Sequence, residues 1–403
     1  MPKAIYLDHH ATTPCDPRVV ERMLPFFTEK FGNFASEHTY GQEVRAECHN
    51  ARSAIANLVG AKSVEIYFNS GATEGNNLVL KGVAAAKPHG RILSCVTEHK
   101  SVLDTLCCLK KAGYAVTTLP VNRAGHIDLN ALRAEIDRSD LPPVVMVSLM
   151  GANNEIGTIH PIAEIGQITR ERQILLHVDG AQIAGKMLID VNSWNVDFLC
   201  LSAHKMYGPK GIGAIYIRKG LCESALLPLL HGGGQERGMR PGTLPVPLVV
   251  AMGEAARLAM EDLQHECVEI RNLRDQLWAG LSVLGGVRVN GDMSARLPGN
   301  LSVTFDDVVG DEMIAELADI AVSSTSACSA GSGHPSHVLQ AIGLSECAAK
   351  STLRFGVGRF NTDAEIQQVI AKFGEMIPRL RSRFRSSLDA ATSIGKGQRL
   401  ARL

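Results

Sequence analysis

Ile174-Leu175-Leu176-His177-Val178-Asp179, followed by Phe198-Leu199-Cys200-Leu201-Ser202-Ala203-His204-Lys205, decides the fold of this chain. Each stretch is a short, nearly unbroken apolar run that ends in polar groups. Such runs predict strands buried on both faces, as in parallel sheets covered by helices. Their C-terminal ends then deliver an acid and a lysine side by side. Pyridoxal phosphate needs that pairing: the lysine amine holds the cofactor covalently, and the acid keeps the pyridine nitrogen protonated so that the ring draws electrons. Taken alone, Lys205 reads equally well as a surface lysine in a loop. The rest of the chain argues against that.

Outward from these stretches, strand-like runs alternate with helix-like segments from about residue 15 to 255. Candidate strands fall at 65–69, 91–96, 116–121, 144–149, 174–179, 198–202 and 214–217, with helices such as 129–136 and 162–172 between them. This rhythm predicts an α/β fold with a mostly parallel, seven-stranded sheet under helices on both faces. Past about 260 the pattern changes. A long amphipathic stretch, 261–284, leads to short strands at 300–305 and 353–357. The expected division is a large cofactor-binding α/β domain at 15–255 and a smaller α+β domain from 1–14 and 256–403. The tail after Pro378 carries Arg379, Arg381, Arg383 and Arg385, read as one solvated helix face.

Composition narrows the function. The chain has 403 residues, 45% of them hydrophobic, enough for a large core. Its formal net charge is zero, which gives no reason to expect nucleic acid or membrane as a partner. No signal-peptide core and no bilayer-length apolar stretch is found, so a cytoplasmic protein is expected. Ten cysteines are scattered without a Cys-x-x-Cys pair. Neither a zinc site nor a disulfide framework is expected. Most of the cysteines, Cys107, Cys108 and Cys267 included, read as small buried packing residues.

Several further segments carry chemistry. Ser70-Gly71-Ala72-Thr73-Glu74 follows a strand and opens an apolar helix. Its free N–H groups suit a phosphate, while the plain alternative is an N-cap on Ser70 or Thr73. Gly180 to Met187 matches a nucleotide-binding loop except at Met187, where a hydroxyl must ligate magnesium. It reads better as a strand-to-helix turn that sets Asp179 and Gln182 beside a cofactor ring. His231-Gly232-Gly233-Gly234 imitates an oxyanion loop, but no nucleophile elbow accompanies it. Ser323 to Gly333 is a run of small residues around Cys328, expected to be an exposed, mobile loop carrying a nucleophile. Arg354, in a strand with apolar neighbours, suits a substrate carboxylate or an internal ion pair.

At this point the chain resembles the cysteine desulfurases of the NifS/IscS type, within the fold-type I, class V pyridoxal-phosphate enzymes, over nearly its whole length. The matching stretches are Tyr6-Leu7-Asp8, Ala11 to Pro14, Ser70 to Glu74, Thr97-Glu98-His99, Asn153 to Gly157, Val178-Asp179 with Gln182, His204-Lys205, Tyr207 to Gly211, His231 to Thr243, Ser326-Ala327-Cys328 and Arg354-Phe355. The resemblance implies roles. Lys205 would hold the cofactor and move the α-proton, and Asp179 would pair with the pyridine nitrogen. His99 would stack on the ring and help in proton transfer, and Gln182 would meet the ring hydroxyl. Ala72, Thr73, Ser202 and His204 would hold the phosphate, with Thr243 reaching it from the other subunit of a homodimer. Asn154 would contact the cofactor and, with Arg354, the carboxylate of L-cysteine. Cys328 would take the sulfur as a persulfide and pass it to an acceptor, an iron–sulfur scaffold or a thiolation enzyme. No metal site is implied, beyond contact of Cys328 with a transferred iron–sulfur cluster. Thr325 stands where the family usually has glycine, Ala203 replaces a common glycine, and the tail 386–403 departs from the family's scaffold-docking tail. The competing readings are another class V enzyme, such as an aminotransferase or selenocysteine lyase, and a non-catalytic sulfur-relay scaffold.

Overall fold

The structure, a computed structural model, describes residues 4–324 and 335–400, and only the backbone of Glu223 and of 387–400. Cys328, Thr325 and most of the predicted loop lie outside the described residues.

The first strand, β1 (Ile5–Tyr6), stands apart from the central sheet. That sheet contains β2 (Ile66–Asn69), β3 (Arg91–Cys95), β4 (Ala115–Leu119), β5 (Val144–Met150), β6 (Leu175–Asp179), β7 (Phe198–Ser202) and β8 (Gly213–Ile217). Each predicted strand is present, its ends within two residues of those expected. Their order is β2-β8-β7-β6-β5-β3-β4. Only β8 runs antiparallel to its neighbours, β2 and β7; the other pairings are parallel. Alternation along the strands explains the unbroken apolar runs. Leu199 and Leu201 enter one core while Phe198 and Cys200 enter the core on the opposite face. A strand with a core on each side has no polar face to offer.

A second sheet is built from β9 (Val287–Val289), β10 (Asn300–Phe305), β12 (Ser323–Ser324) and β13 (Thr352–Gly356), in the order β12-β13-β10-β9 and antiparallel throughout. β11 (Ile320–Ala321) pairs with β1, and Asp8 bridges to Gly356. Leu7 thereby joins the core formed by Leu301, Phe305, Leu353 and Phe355. Phe373 lies against both aromatic rings, 5.5 Å from Phe305 and 5.4 Å from Phe355 between centroids.

Two helices depart from expectation. The amphipathic stretch expected at 261–284 is the end of one helix, Val246–Ser282. Its first half supplies Val249, Met252 and Ala256 to the first core, and its second half supplies Leu277 and Leu281 to the second. Because residues 246–256 are buried nearly all round, that part shows no polar stripe. The helix therefore runs uninterrupted through residue 255. The second departure is the arginine-bearing tail, which belongs to the helix Asp363–Leu400. Arg379, Arg383 and Arg385 are exposed, as expected of a solvated face, but Arg381 docks. Arg381 donates to the carbonyls of Leu284, Gly285, Gly286 and Asp306, and Arg379 and Arg383 pair with Glu316.

Candidate active site

The C-terminal ends of β5, β6 and β7 meet residues 10–12 and β13 around a cavity of about 570 Å³. Open sheets place ligand sites at this edge because the strands stop and loops diverge there. Of the residues predicted for the site, Ala72, Thr73, His99, Asn154, Asp179, Gln182, Ser202, His204, Lys205 and Arg354 all line it. Thr243 does not; it is exposed elsewhere on the surface.

One end of the cavity is made for an anion. The helix Ala72–Ala86 begins there, with Gly71 at its cap and no side chain capping it. The plain N-cap reading of Ser70 or Thr73 is thus not realised, and the first-turn N–H groups have no intrahelical acceptor. Glu74 instead reaches back to the Ser70 N–H at 2.9 Å and is tied to Arg240 at 2.8 Å. Ser202 lies at the same end, its Oγ beside Gly71, and His204 also lines the cavity. His204 stays neutral, its pKa pushed to about 4 by burial and by the nearby Lys205, Lys210 and Lys186 cations.

Asp179 occupies the middle. It accepts hydrogen bonds from Asn76 Nδ2 at 2.7 Å and from the Ala181 N–H at 3.0 Å. The segment after it, 181–186, is a run of turns rather than the start of a helix. Asn76 also reaches Ser101 Oγ at 2.9 Å, and Ser101 meets His99 Nδ1 at 2.8 Å. Although His99 opens on the cavity, the protein around the rest of its ring lowers its pKa; Lys205 acts in the same direction and Asp179 opposes it.

Lys205 Nζ donates to the carbonyls of His10 and Ala11, at 2.7 and 2.8 Å. Gln182 is fixed through His10: its Nε2 donates to the His10 carbonyl and its Oε1 faces His10 Nδ1, both at 3.0 Å. Lys186 Nζ reaches the same Oε1 at 3.2 Å. Burial, then the repulsion of Lys205 and Arg354, lowers the Lys186 pKa to about 7. Arg354 satisfies both sequence readings at once. It lines the cavity and pairs with Asp8 at 2.7 Å, while donating to Ser323 Oγ and the Asn154 carbonyl, both at 2.8 Å. Its Nε is buried and has no partner among the described residues.

This donor set fits pyridoxal phosphate. An uncapped helix start with Thr73, Ser202 and His204 suits the phosphate. A fixed carboxylate suits the ring nitrogen, a lysine the carbonyl, and a cavity-lining arginine the substrate carboxylate.

Sequence reasoning missed Asn76, Ser101, His10, Lys186 and the role of Asp8. Asn76 is a fully buried amide one helical turn beyond Ala72, a burial that nothing in the sequence pattern announces. It also misplaced some cysteines. Cys107 and Cys108 are exposed and Cys267 is half-buried, because helix Lys100–Lys111 buries its Val102–Leu106–Leu109 stripe and turns both thiols outward.

Three comparisons bear on the whole chain. The aminotransferase class-V family model matches residues 5–369. A protein of Anaeromyxobacter dehalogenans (strain 2CP-C), named cysteine desulfurase IscS, is 46% identical over 94% of this chain and 93% of its own length. Two solved structures share the architecture. A NifS-like protein superposes with a TM-score of 0.86 at 36% identity, covering 94% of this chain and 100% of that one. SspA, solved in complex with cysteine, superposes with a TM-score of 0.78 at 35% identity, covering 89% and 100%.

Proposed function

The chain belongs to the aminotransferase class-V family and is a pyridoxal-phosphate-dependent cysteine desulfurase; from that premise we propose how its residues divide the work and where the sulfur goes. The observation that carries the reading is the single cavity that gathers Lys205, Asp179, His99 and Arg354 beside an open helix start. When bound there, pyridoxal phosphate supplies an electron sink for the charge released at the substrate's α-carbon.

The protein's own residues do the rest. Ala72, Thr73, Ser202 and His204 bind the phosphate, and Gln182 meets the ring hydroxyl. Asp179, held by Asn76 and the Ala181 N–H, keeps a carboxylate at the ring nitrogen. Arg354 and Asn154, which both line the cavity, orient L-cysteine by its carboxylate. Lys205 Nζ holds the cofactor and takes the α-proton, and His99 Nε2 provides the second proton-transfer site. The Cys328 thiolate attacks the substrate sulfur. A sulfur–sulfur bond forms, the carbon–sulfur bond breaks, and its electrons stay with the departing alanine.

The persulfide on Cys328 then passes to an acceptor protein in the cytoplasm, for iron–sulfur cluster assembly or for thiolation of tRNA or another target. Thr243 completes the phosphate site of a second copy, making the enzyme a homodimer. Among the described residues no helix is long and apolar enough to cross a membrane.

Replacing Cys328 tests this reading. Cys328→Ala keeps every residue that binds cofactor and substrate, so cysteine should still perturb the cofactor's absorbance. Alanine release and persulfide formation should both fall close to background. Alanine release at the parent rate would refute transfer to Cys328.

A further inference from the structure

The hydrogen bonds around His99 have only one self-consistent direction, and it starts at Asp179. A carboxylate oxygen accepts and does not donate. The Asn76 atom facing Asp179 Oδ2 at 2.7 Å is therefore its amide nitrogen. The same nitrogen faces Ser101 Oγ at 2.9 Å, so Oγ accepts there. The hydroxyl proton must go elsewhere. Among the described residues, the other atom within reach of Oγ is His99 Nδ1, at 2.8 Å. A second donor points at that nitrogen, the Ser101 backbone N–H at 3.1 Å, because His99 caps the helix Lys100–Lys111. Nδ1 thus receives two hydrogens and has no room for its own. The proton of the neutral ring resides on Nε2, on the side open to the cavity.

We propose that Ser101 is a positioning residue that holds His99 as the neutral Nε2–H tautomer, so that His99 meets the substrate as a proton donor and not as a base. Before it can accept, it must first give. Proton removal at the α-carbon is then left to Lys205. Ser101 belongs to the cavity wall, but it is 9% exposed and serves through His99. The charged and titratable groups acting on the ring are Asp179, Lys205, His337 and Asp104, two of each sign when His337 is protonated, so the local field alone does not decide the tautomer. Burial lowers the ring's pKa in the same sense as the two incoming donors. The inference rests on the cavity being the substrate site, but its test reads atoms of the chain itself.

Nitrogen-15 NMR of histidine-labelled protein, with the His99 signals identified by their loss in His99→Gln, reads the tautomer directly. In the cofactor-loaded enzyme, Nδ1 should resonate as a bare nitrogen and Nε2 as a protonated one. Ser101→Ala removes one of the two donors and should make ring protonation about fivefold easier, the equivalent of one ordinary hydrogen bond. Ser101→Thr, which keeps the hydroxyl, should return to the parent value. In Ser101→Ala, kcat should fall while KM for cysteine stays within twofold, because Arg354 and Asn154 are untouched. A parent ring protonated at Nδ1 overturns the proposal, and so does a Ser101→Ala ring that titrates like the parent. Failure of the proposed function would look different: a fixed Nε2–H tautomer in a protein that releases no alanine from cysteine.

Discussion

Lys186 shows how far one amine can be pushed by its surroundings. Its pKa falls from the ordinary 10.5 to about 7. Between those values the unfolded chain binds more protons than the folded one, so stability rises with pH across that window. Lys186→Met has no proton to give up. It should be more stable than the parent near neutral pH, by on the order of 4 kcal/mol, with the gain fading as pH approaches 10. Denaturant unfolding at two pH values checks this, and a difference that does not change with pH would contradict it. At Asp179 the expectation is catalytic. Asp179→Ala should fold normally yet lose about a hundredfold or more in turnover, since the ring nitrogen loses its fixed carboxylate. Turnover assays on folded protein decide it, and unchanged turnover would leave Asp179 a turn-fixing residue only. The residues legible in the sequence were those ending apolar runs, Asp179, Ser202 and Lys205, because a polar group there breaks a pattern. Asn76 and Ser101 break none. They sit inside helices, and their partners lie 103 and 25 positions away along the chain.

Among elements, the helix Ala72–Ala86 depends on the residue before it. Gly71 has φ +149, where side chains are disfavoured, although a Cβ would meet only Ser202 Oγ, at 3.6 Å. Gly71→Ala therefore strains the backbone without a clash. It should cost about 1 kcal/mol and tilt the open N–H groups away from the phosphate, so the variant should release cofactor faster on dialysis. Retention equal to the parent's would mean that the side chains alone hold the phosphate. At the tail, Arg381→Ala strips three carbonyl partners of residues 284–286 and one of 306 of their donor. A loss of about 1–2 kcal/mol in thermal or denaturant unfolding is expected. An unchanged midpoint would restore the solvated-face reading. Burial on both faces, which leaves short and nearly unbroken apolar runs, made the central strands readable. The first turns of the helix Val246–Ser282, residues 246–256, were not readable as a helix, because residues packed on nearly every side carry no stripe.

Across the whole molecule, Arg359 ties distant parts together. It bonds Asp16 at 2.8 Å and Glu266 at 2.9 Å, and its guanidinium lies 4.1 Å from the Tyr207 ring centroid. Arg18 first, and Arg359 with it, lowers the Asp16 pKa to about 2. This stabilisation is complete above the unfolded carboxylate's 3.8 and is lost as pH falls from there towards 2. Arg359→Met leaves the buried Asp16 with Arg18 alone and the half-buried Glu266 without its arginine, and should cost about 3 kcal/mol at neutral pH. The difference from the parent should shrink in acid, which unfolding curves at both pH values will show; a constant difference would mean that Arg359 acts by packing alone. The pairing of β1 with β11, and of Asp8 with Gly356, has a consequence in time. Residues 5–8 leave the ribosome well before their partners in β11 and β13, Arg354 among them, which are translated more than three hundred residues later. The nascent chain can thus finish its central sheet early and still have no complete catalytic centre. A polypeptide cut short by premature termination before β13 would leave Leu7 unburied and Asp8 without its arginine, and so would carry no partly active enzyme into the cell.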